Sequence, residues 1–385
     1  MSETFSLSEL IIPGTYINVR AEGLISVGGV STGNIAIVGT AQRQKVDKDG
    51  NPVTDNNKPV FEDLSATQTL SDYETAKAFY GPSDAYANGA GKLNLTRAIQ
   101  ILFQNGASTV YARALDPDKA TTDDYTAAFN ELIKDDVNIL VAPQLSTADA
   151  MTVLKAITNS AENSGKDLIA VVGSDKEVVA DIIAETQTNG RIILTAPGIF
   201  ANETVVTGGK ASSHEVALSG TYSAAAVAGL LASVTPQTSP TNKVLPGVGR
   251  VTHRFSYGQT KDLVHNGRIL VLEQRQGVRV VRGITTDDGA FAQVTTRRIT
   301  DFAKAGIRAA SNPFIGRLNN TRVRKALRGA IDGFLTTMVQ DEALIGYTLD
   351  VTATRQDEIA GRAIVSVIMQ PTFSIDYIAV TLVLQ

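Results

Sequence analysis

Between residues 93 and 196 the chain repeats one alternation, and that alternation limits its fold more than any other feature. Leu95, Ala98, Ile99, Leu102 and Phe103 recur at helical spacing and stop at Asn105-Gly106, so a helix ends there and Thr109–Leu115 reads as a strand. A helix is predicted around Asp123–Lys134, a wholly apolar strand over Val137–Ala142, a helix over Ala148–Glu162 and a strand over Leu168–Val172. A helix near Glu177–Thr188 and a strand over Arg191–Ala196 complete the series. With an earlier strand at Ile35–Gly39, strands and helices alternate about every thirty residues, which calls for a mostly parallel sheet covered by helices. The expected class is α/β, and α+β once the rest of the chain is counted.

Nucleotide binding is the obvious use of such a sheet, but it needs a glycine-rich turn between a strand and its helix, where backbone amides can approach a pyrophosphate. The turns here read Ala142-Pro143-Gln144-Leu145 and Gly173-Ser174-Asp175, and Gly28, Gly29 and Gly33 follow no strand. Gly247-Val248-Gly249-Arg250 lacks a third glycine. Asp47-Lys48-Asp49-Gly50-Asn51 resembles the start of an EF-hand loop, yet its glycine comes two positions early and Lys58 stands where the closing glutamate belongs. The chain has no cysteine and three histidines, His214, His253 and His265. Thiolate metal sites, disulfides and cysteine nucleophiles are thereby excluded, and no G-x-S-x-G elbow or H-E-x-x-H helix occurs. The histidines are expected at the surface or at an interface. The pairs Asp287-Asp288 and Asp341-Glu342 sit in turn-like or helix-end settings and read as solvated. No enzyme and no cofactor is expected.

Beyond Ala196 the character changes. Residues 197–221 are rich in Gly, Ser and Thr, and a small-residue helix from Tyr222 to Val234 runs into Pro236, Pro240 and Pro246. This proline series marks a domain boundary, giving an outer α/β domain over 26–246 and a smaller mixed domain over 247–372. A hairpin is expected from Arg268–Leu272 to Val278–Arg282 around Gly277, then a helix from Arg297 to about Ala310. Residues 1–25, with Ile11, Tyr16, Ile17 and Val19 around Pro13-Gly14, read as an extended arm. Residues 373–385 read as a second arm: a strand over Ile375–Leu384 with Tyr377, Ile378, Val380 and Leu382, uncharged after Asp376. Edge strands ordinarily carry lysine, proline or bulges to prevent pairing with other chains, and this one has none.

Net charge is −4, but residues 250–328 hold 16 Lys and Arg against 5 acidic residues, while the flanking segments are acidic. Such a chain can meet copies of itself, or meet an acidic partner with its basic block. Within this block begins the clearest helix, Thr321–Leu344, whose Val323, Leu327, Ala330, Ile331, Phe334, Leu335, Met338 and Val339 form one apolar stripe. Its start carries Arg322, Arg324, Lys325 and Arg328 and its end Asp341 and Glu342, an order that opposes the helix macrodipole.

Several segments resemble, in order, the contractile tail sheath proteins of phages and phage-derived injection devices. Ile12-Pro13-Gly14-Thr15-Tyr16 is similar to the family's amino-terminal P-G-V-Y-like start. Leu95–Gly106 with Val110-Tyr111-Ala112-Arg113 resembles its helix, F-x-N-G turn and following strand, and Val137–Pro143 the next strand. Ser223–Val248, Asn266-Gly267-Arg268 with Val278–Ile284, and Arg297-Arg298-Ile299-Thr300-Asp301-Phe302 resemble later family segments. Two positions depart from the pattern: Gly283-Ile284-Thr285 replaces W-G-A-R-T, and Ser233 stands where an acidic residue is usual.

The resemblance implies a structural subunit stacked in rings, commonly hexameric, around an inner tube, with terminal arms that add strands to neighbouring subunits. Contraction would drive the tube through a membrane. The implied partners are other copies of the chain, the inner tube protein, and the baseplate and tail terminator proteins, with no nucleic acid and no direct membrane insertion. The implied location is a virion tail or a contractile device assembled in the host bacterial cytoplasm. Arg322, Lys325 and Arg328 are the expected tube contact. The alternatives are another tail or baseplate structural protein, or a nucleic-acid-binding protein using the basic block.

Overall fold

The computed structural model describes residues 31–56, 58–81, 95–207 and 210–383. By internal packing the chain divides into two units: a large one of residues 31–301 and 373–385, and a small one whose described part is 302–372. The expected amino-terminal arm, with Ile11, Tyr16, Ile17 and Val19, lies outside the described residues.

The large unit opens with β1 (Ile35–Thr40), the short hairpin β2 (Thr54–Asp55) and β3 (Lys58–Pro59), β4 (Gln68–Leu70) and α1 (Tyr73–Tyr80). The alternating series follows as α2 (Leu95–Gln104), β5 (Val110–Leu115), α3 (Thr122–Leu132), β6 (Ile139–Val141), α4 (Thr147–Asn163), β7 (Ile169–Gly173), α5 (Val179–Ala184) and β8 (Ile192–Ala196). Then come the antiparallel pair β9 (Ile199–Thr207) and β10 (Lys210–Leu218), α6 (Gly220–Ser233), β11 (Arg250–Val251), α7 (Tyr257–His265), and the hairpin β12 (Leu270–Gln274) and β13 (Val278–Val280). Among the described residues, eight strands make one sheet in the order β13-β12-β8-β7-β6-β1-β5-β4. The six inner strands are parallel, and each edge is closed by an antiparallel strand.

Both faces of this sheet are covered, as the unbroken apolar strands require. Ile35 and Ile37 face a core built with α2 and α6, whereas Ala36 and Val38 face a second core with α3 and α4. Twelve of the residues of α6, from Gly220 to Leu231, are buried, in line with its small, uncharged sequence. It lies close to the sheet because Gly173 meets Gly220 directly: a Cβ on Gly173 would come within 1.7 Å of the Gly220 carbonyl oxygen. The glycine at the end of β7 thus serves helix packing. The start of α3 is fixed by a capping box, with Thr121 accepting from the Asp124 amide and Asp124 from the Thr121 amide.

One expectation needs correction. The division falls between Asp301 and Phe302, within α8 (Val294–Ser311), and not at 246/247. The prolines do interrupt the chain there, but β12 pairs in parallel with β8, and this carries residues beyond 247 into the large sheet. Residues 197–221, noted in the sequence only as rich in Gly, Ser and Thr, hold the β9–β10 ladder from Ile199↔Leu218 to Thr207↔Lys210.

The small unit contains the second part of α8, then α9 (Thr321–Gln340), β14 (Leu344–Thr352), α10 (Arg355–Ile359) and β15 (Ile364–Pro371). α9 starts at Asn320, whose side chain accepts from the Val323 amide, and stops four residues short of Leu344, where β14 begins. Its apolar stripe packs inward: Leu327, Ala330, Ile331, Phe334, Leu335 and Met338 are buried, and Val323 and Val339 are half-buried. The Phe334 ring lies 5.6 Å from that of Phe302, directly over Gly306, where any Cβ would sit 1.9 Å from the ring tip. β14 and β15 form a two-stranded antiparallel sheet.

Candidate assembly surfaces

The crevice where α/β sheets usually take a ligand lies at the carboxyl ends of strands whose crossovers leave in opposite directions. Here β1 has β5 on one side and β6 on the other, and Gln144, just past β6, fills the position. Its Oε1 accepts from the Thr40 amide at 2.5 Å and its Nε2 donates to the Thr40 hydroxyl at 2.9 Å. Among the described residues no cluster of three or more His, Asp or Glu is arranged to hold a metal ion, and no helix is long and apolar enough to cross a membrane. Asp47 turns back on its own loop, accepting from the amides of Asp49 and Asn51 at 2.9 Å each. Of the histidines, His265 is exposed and His253 packs its ring 4.9 Å from Phe255.

Much of the basic block is committed inside the fold. Arg250 pairs with Glu215, Arg268 with Asp288, Arg282 with Asp376 and Arg297 with Asp301. Arg298 is 6% exposed and donates to the carbonyls of Val234 (3.0 Å), Thr235 (3.3 Å) and Thr32 (3.3 Å), capping the end of α6. Burial pulls its guanidinium down to about 10. Arg297 also stacks on Phe291, 4.0 Å from the ring centre. Arg191 is bound to Glu162, Asp167 and Asp301 at 2.7, 2.9 and 3.1 Å. The paired arginines at 297 and 298 therefore knit the large unit together.

The start of α9 is different. Arg324 is drawn into the small unit, donating to Glu358 at 3.0 Å and to Asn319 at 2.8 Å. Arg322, Lys325 and Arg328 are exposed and, among the described residues, have no ion-pair partner. Their three-residue spacing places them on one face, opposite the buried stripe.

The second surface is strand edges. Among the described residues each strand of the β14–β15 pair has a neighbour on one side only, and Ile345, Ile364 and Ile368 are 67%, 46% and 70% exposed. Residues 373–383 form no ladder with other described residues, so the strand expected over Ile375–Leu384 is not seen among them. Tyr377, Ile378, Val380 and Leu382 are 74–85% exposed. The root of this segment escapes sequence reasoning. Asp376, whose side chain is 7% exposed, accepts from Arg282 Nε at 2.9 Å and from Gln293 Nε2 at 3.3 Å. A lone acid at the head of an uncharged run is the signal that could have found it.

Comparison with known proteins places the chain in a family. Residues 118–286 match the phage tail sheath protein central domain, and residues 286–385 the phage tail sheath C-terminal domain. A tail sheath protein of Mycobacterium phage Bxz1 is 29% identical over 228 residues, 57% of this chain and 38% of that protein, so the match spans well under half of that relative's length. In fold, the chain resembles a chain of the anti-feeding prophage baseplate, described as 6-fold symmetrised, with a TM-score of 0.70 and 19% identity over 97% of this chain and 99% of that one. It equally resembles the anti-feeding prophage helical sheath in its contracted state, at 0.69 and 19% over the same shares. Two consecutive sheath domains, unbroken from residue 118 to the carboxyl terminus, establish that this chain belongs to the phage tail sheath family.

Proposed function

We propose that the chain is the structural subunit of a contractile tail sheath, which stacks as hexameric rings around an inner tube and contracts to drive that tube through a membrane. The succession of the two sheath domains carries the reading. It is supported by the edges of β14 and β15 that no described strand covers and by an apolar carboxy-terminal segment that forms no ladder among the described residues. Strand addition joins the two: backbone groups on a free edge recruit an extended segment from another chain. Tyr377, Ile378, Val380 and Leu382 form one such strand, and Ile11, Tyr16, Ile17 and Val19 the other. The six-fold symmetry described for the similar baseplate supports rings of six.

Arg322, Lys325 and Arg328 contact an acidic surface of the tube protein. The remaining partners are further copies of the chain, the baseplate and the tail terminator. The role is structural and not enzymatic, and the setting is a virion tail or an injection device assembled in the host cytoplasm. Electron microscopy of the purified full chain tests the reading. Striated tubes are expected, and removal of residues 373–385 should leave folded, soluble subunits that form none. A full-length protein that stays as discrete particles would overturn it.

A further inference from the structure

The carboxy-terminal segment leaves β15 and is caught again almost at once. Asp376 lies against the rest of the large unit, accepting from Arg282 Nε (2.9 Å), Gln293 Nε2 (3.3 Å), Ser374 Oγ (3.3 Å) and Thr241 Oγ1 (3.4 Å). The Ser374 amide donates to Gln293 Oε1 at 3.4 Å, and the Arg282 guanidinium lies 5.4 Å from the Tyr377 ring centre. Immediately before and after, the chain is open to solvent: Ile375 is 81% exposed and Ile378 82%. A carboxylate with four donors, at the head of a segment otherwise free, is a point of fixation in an exposed run.

We propose that Asp376 is the fixed root of the carboxy-terminal arm, a positioning residue that sets where the exchanged strand begins and which face it presents. The inference rests on the strand-exchange reading above. The nine residues after Asp376 span at most about 30 Å when extended, so a root held at Asp376 limits the neighbouring edges the arm can reach. Phase is held as well. Side chains alternate along a strand, so Ile378, Val380 and Leu382 share the face of Asp376, and Tyr377, Ala379, Thr381 and Val383 share the other. The face that continues from the anchored carboxylate is the wholly aliphatic one. A strand out of phase by one residue would present the mixed face to the partner's core. Arg282 is thereby the receiving half of a clasp, with Gln293 and Thr241 completing the cradle.

The chain has no cysteine, so Lys261→Cys and Ile378→Cys, both exposed positions, admit two spin labels and no others. In the full-length monomer the distance between them should be narrowly distributed, and Asp376→Ala should broaden it while the melting temperature stays unchanged. Without labels, Asp376→Ala should slow tube formation at least about tenfold, because an arm that is not pre-positioned must be ordered during assembly. Exchanging the charges, Asp376→Arg with Arg282→Asp, should restore part of the rate. A distance distribution equally narrow in the Asp376→Ala variant, or tubes forming at the unaltered rate once the arm is loosened, would overturn the inference. A chain lacking residues 373–385 separates the two readings. If it still forms tubes, strand exchange itself fails; if it does not while Asp376→Ala assembles normally, only the clasp fails.

Discussion

Among single residues, the arginines divide by burial into two kinds. Arg191 has 3% of its side chain exposed and holds Asp167, equally buried, together with Asp301 and Glu162. Removing one member of such a cluster leaves uncompensated charge in a place where water cannot replace it. Arg191→Met should therefore destabilise the protein by about 3–5 kcal/mol, read as a lowered midpoint in denaturant. A loss under about 1 kcal/mol, the range of exposed pairs, would mean that the cluster is effectively solvated. Arg322, Lys325 and Arg328 are of the other kind, exposed and without an ion-pair partner among the described residues.

Among the elements, α9 is seated by one glycine and its neighbouring segment is tied by one capping box. The Phe334 ring occupies the space that a side chain at position 306 would need. Gly306→Ala should cost about 1–3 kcal/mol through overpacking, seen as a lower melting temperature. Combining it with Phe334→Leu should recover part of the loss, since the smaller side chain vacates that space. α10 begins with Thr354 and Asp357 capping one another, with Arg362 beside Asp357. Hydrogen bonds from the Thr354 side chain and amide, aided by Arg362, hold the Asp357 carboxyl below its usual value of 3.8. A carboxyl lowered by folding stabilises above its unfolded value, and that contribution is lost as the pH falls through the lower folded value. The Thr354 amide, which donates to Asp357 Oδ2 at 3.1 Å, should report a titration midpoint below the ordinary aspartate value. A titration centred on the ordinary aspartate value would show the capping box to be absent in solution.

For the molecule as a whole, the exposed cations at the start of α9 decide between a solvated face and a grip on the tube. Positive charge at a helix start opposes the macrodipole by roughly 0.3–1 kcal/mol per residue. Replacing Arg322, Lys325 and Arg328 together by glutamate should leave the monomer at least as stable, yet abolish loading onto purified tubes. Binding of the unaltered chain should weaken with added salt, given a Debye length of about 8 Å at physiological ionic strength. Normal loading of the triple variant would return the basic face to the solvent.

Periodicity is enough to read the parallel sheet and the stripe of α9, because it records which side chains must leave water, and strands buried on both faces are apolar without alternation. Val137–Ala142 announces β6, and Leu327 to Met338 announce a buried face, whatever lies opposite. Short motifs in a shared order likewise carry the family resemblance. Pairing between distant segments is beyond such patterns. The proline series looks like a domain limit because it interrupts the chain, yet β12 lies beyond it and joins β8. The run 197–221 stands out only for its Gly, Ser and Thr, although Gly208-Gly209 between Thr207 and Lys210 is a hairpin signal. Nor does composition separate Arg324, bound to Glu358, from Arg322 and Arg328 on the same helix, or reveal that Asp376 is held by Arg282. Which edges and which charges are already satisfied within one subunit emerges only in three dimensions, because satisfaction depends on neighbours that the linear order does not name.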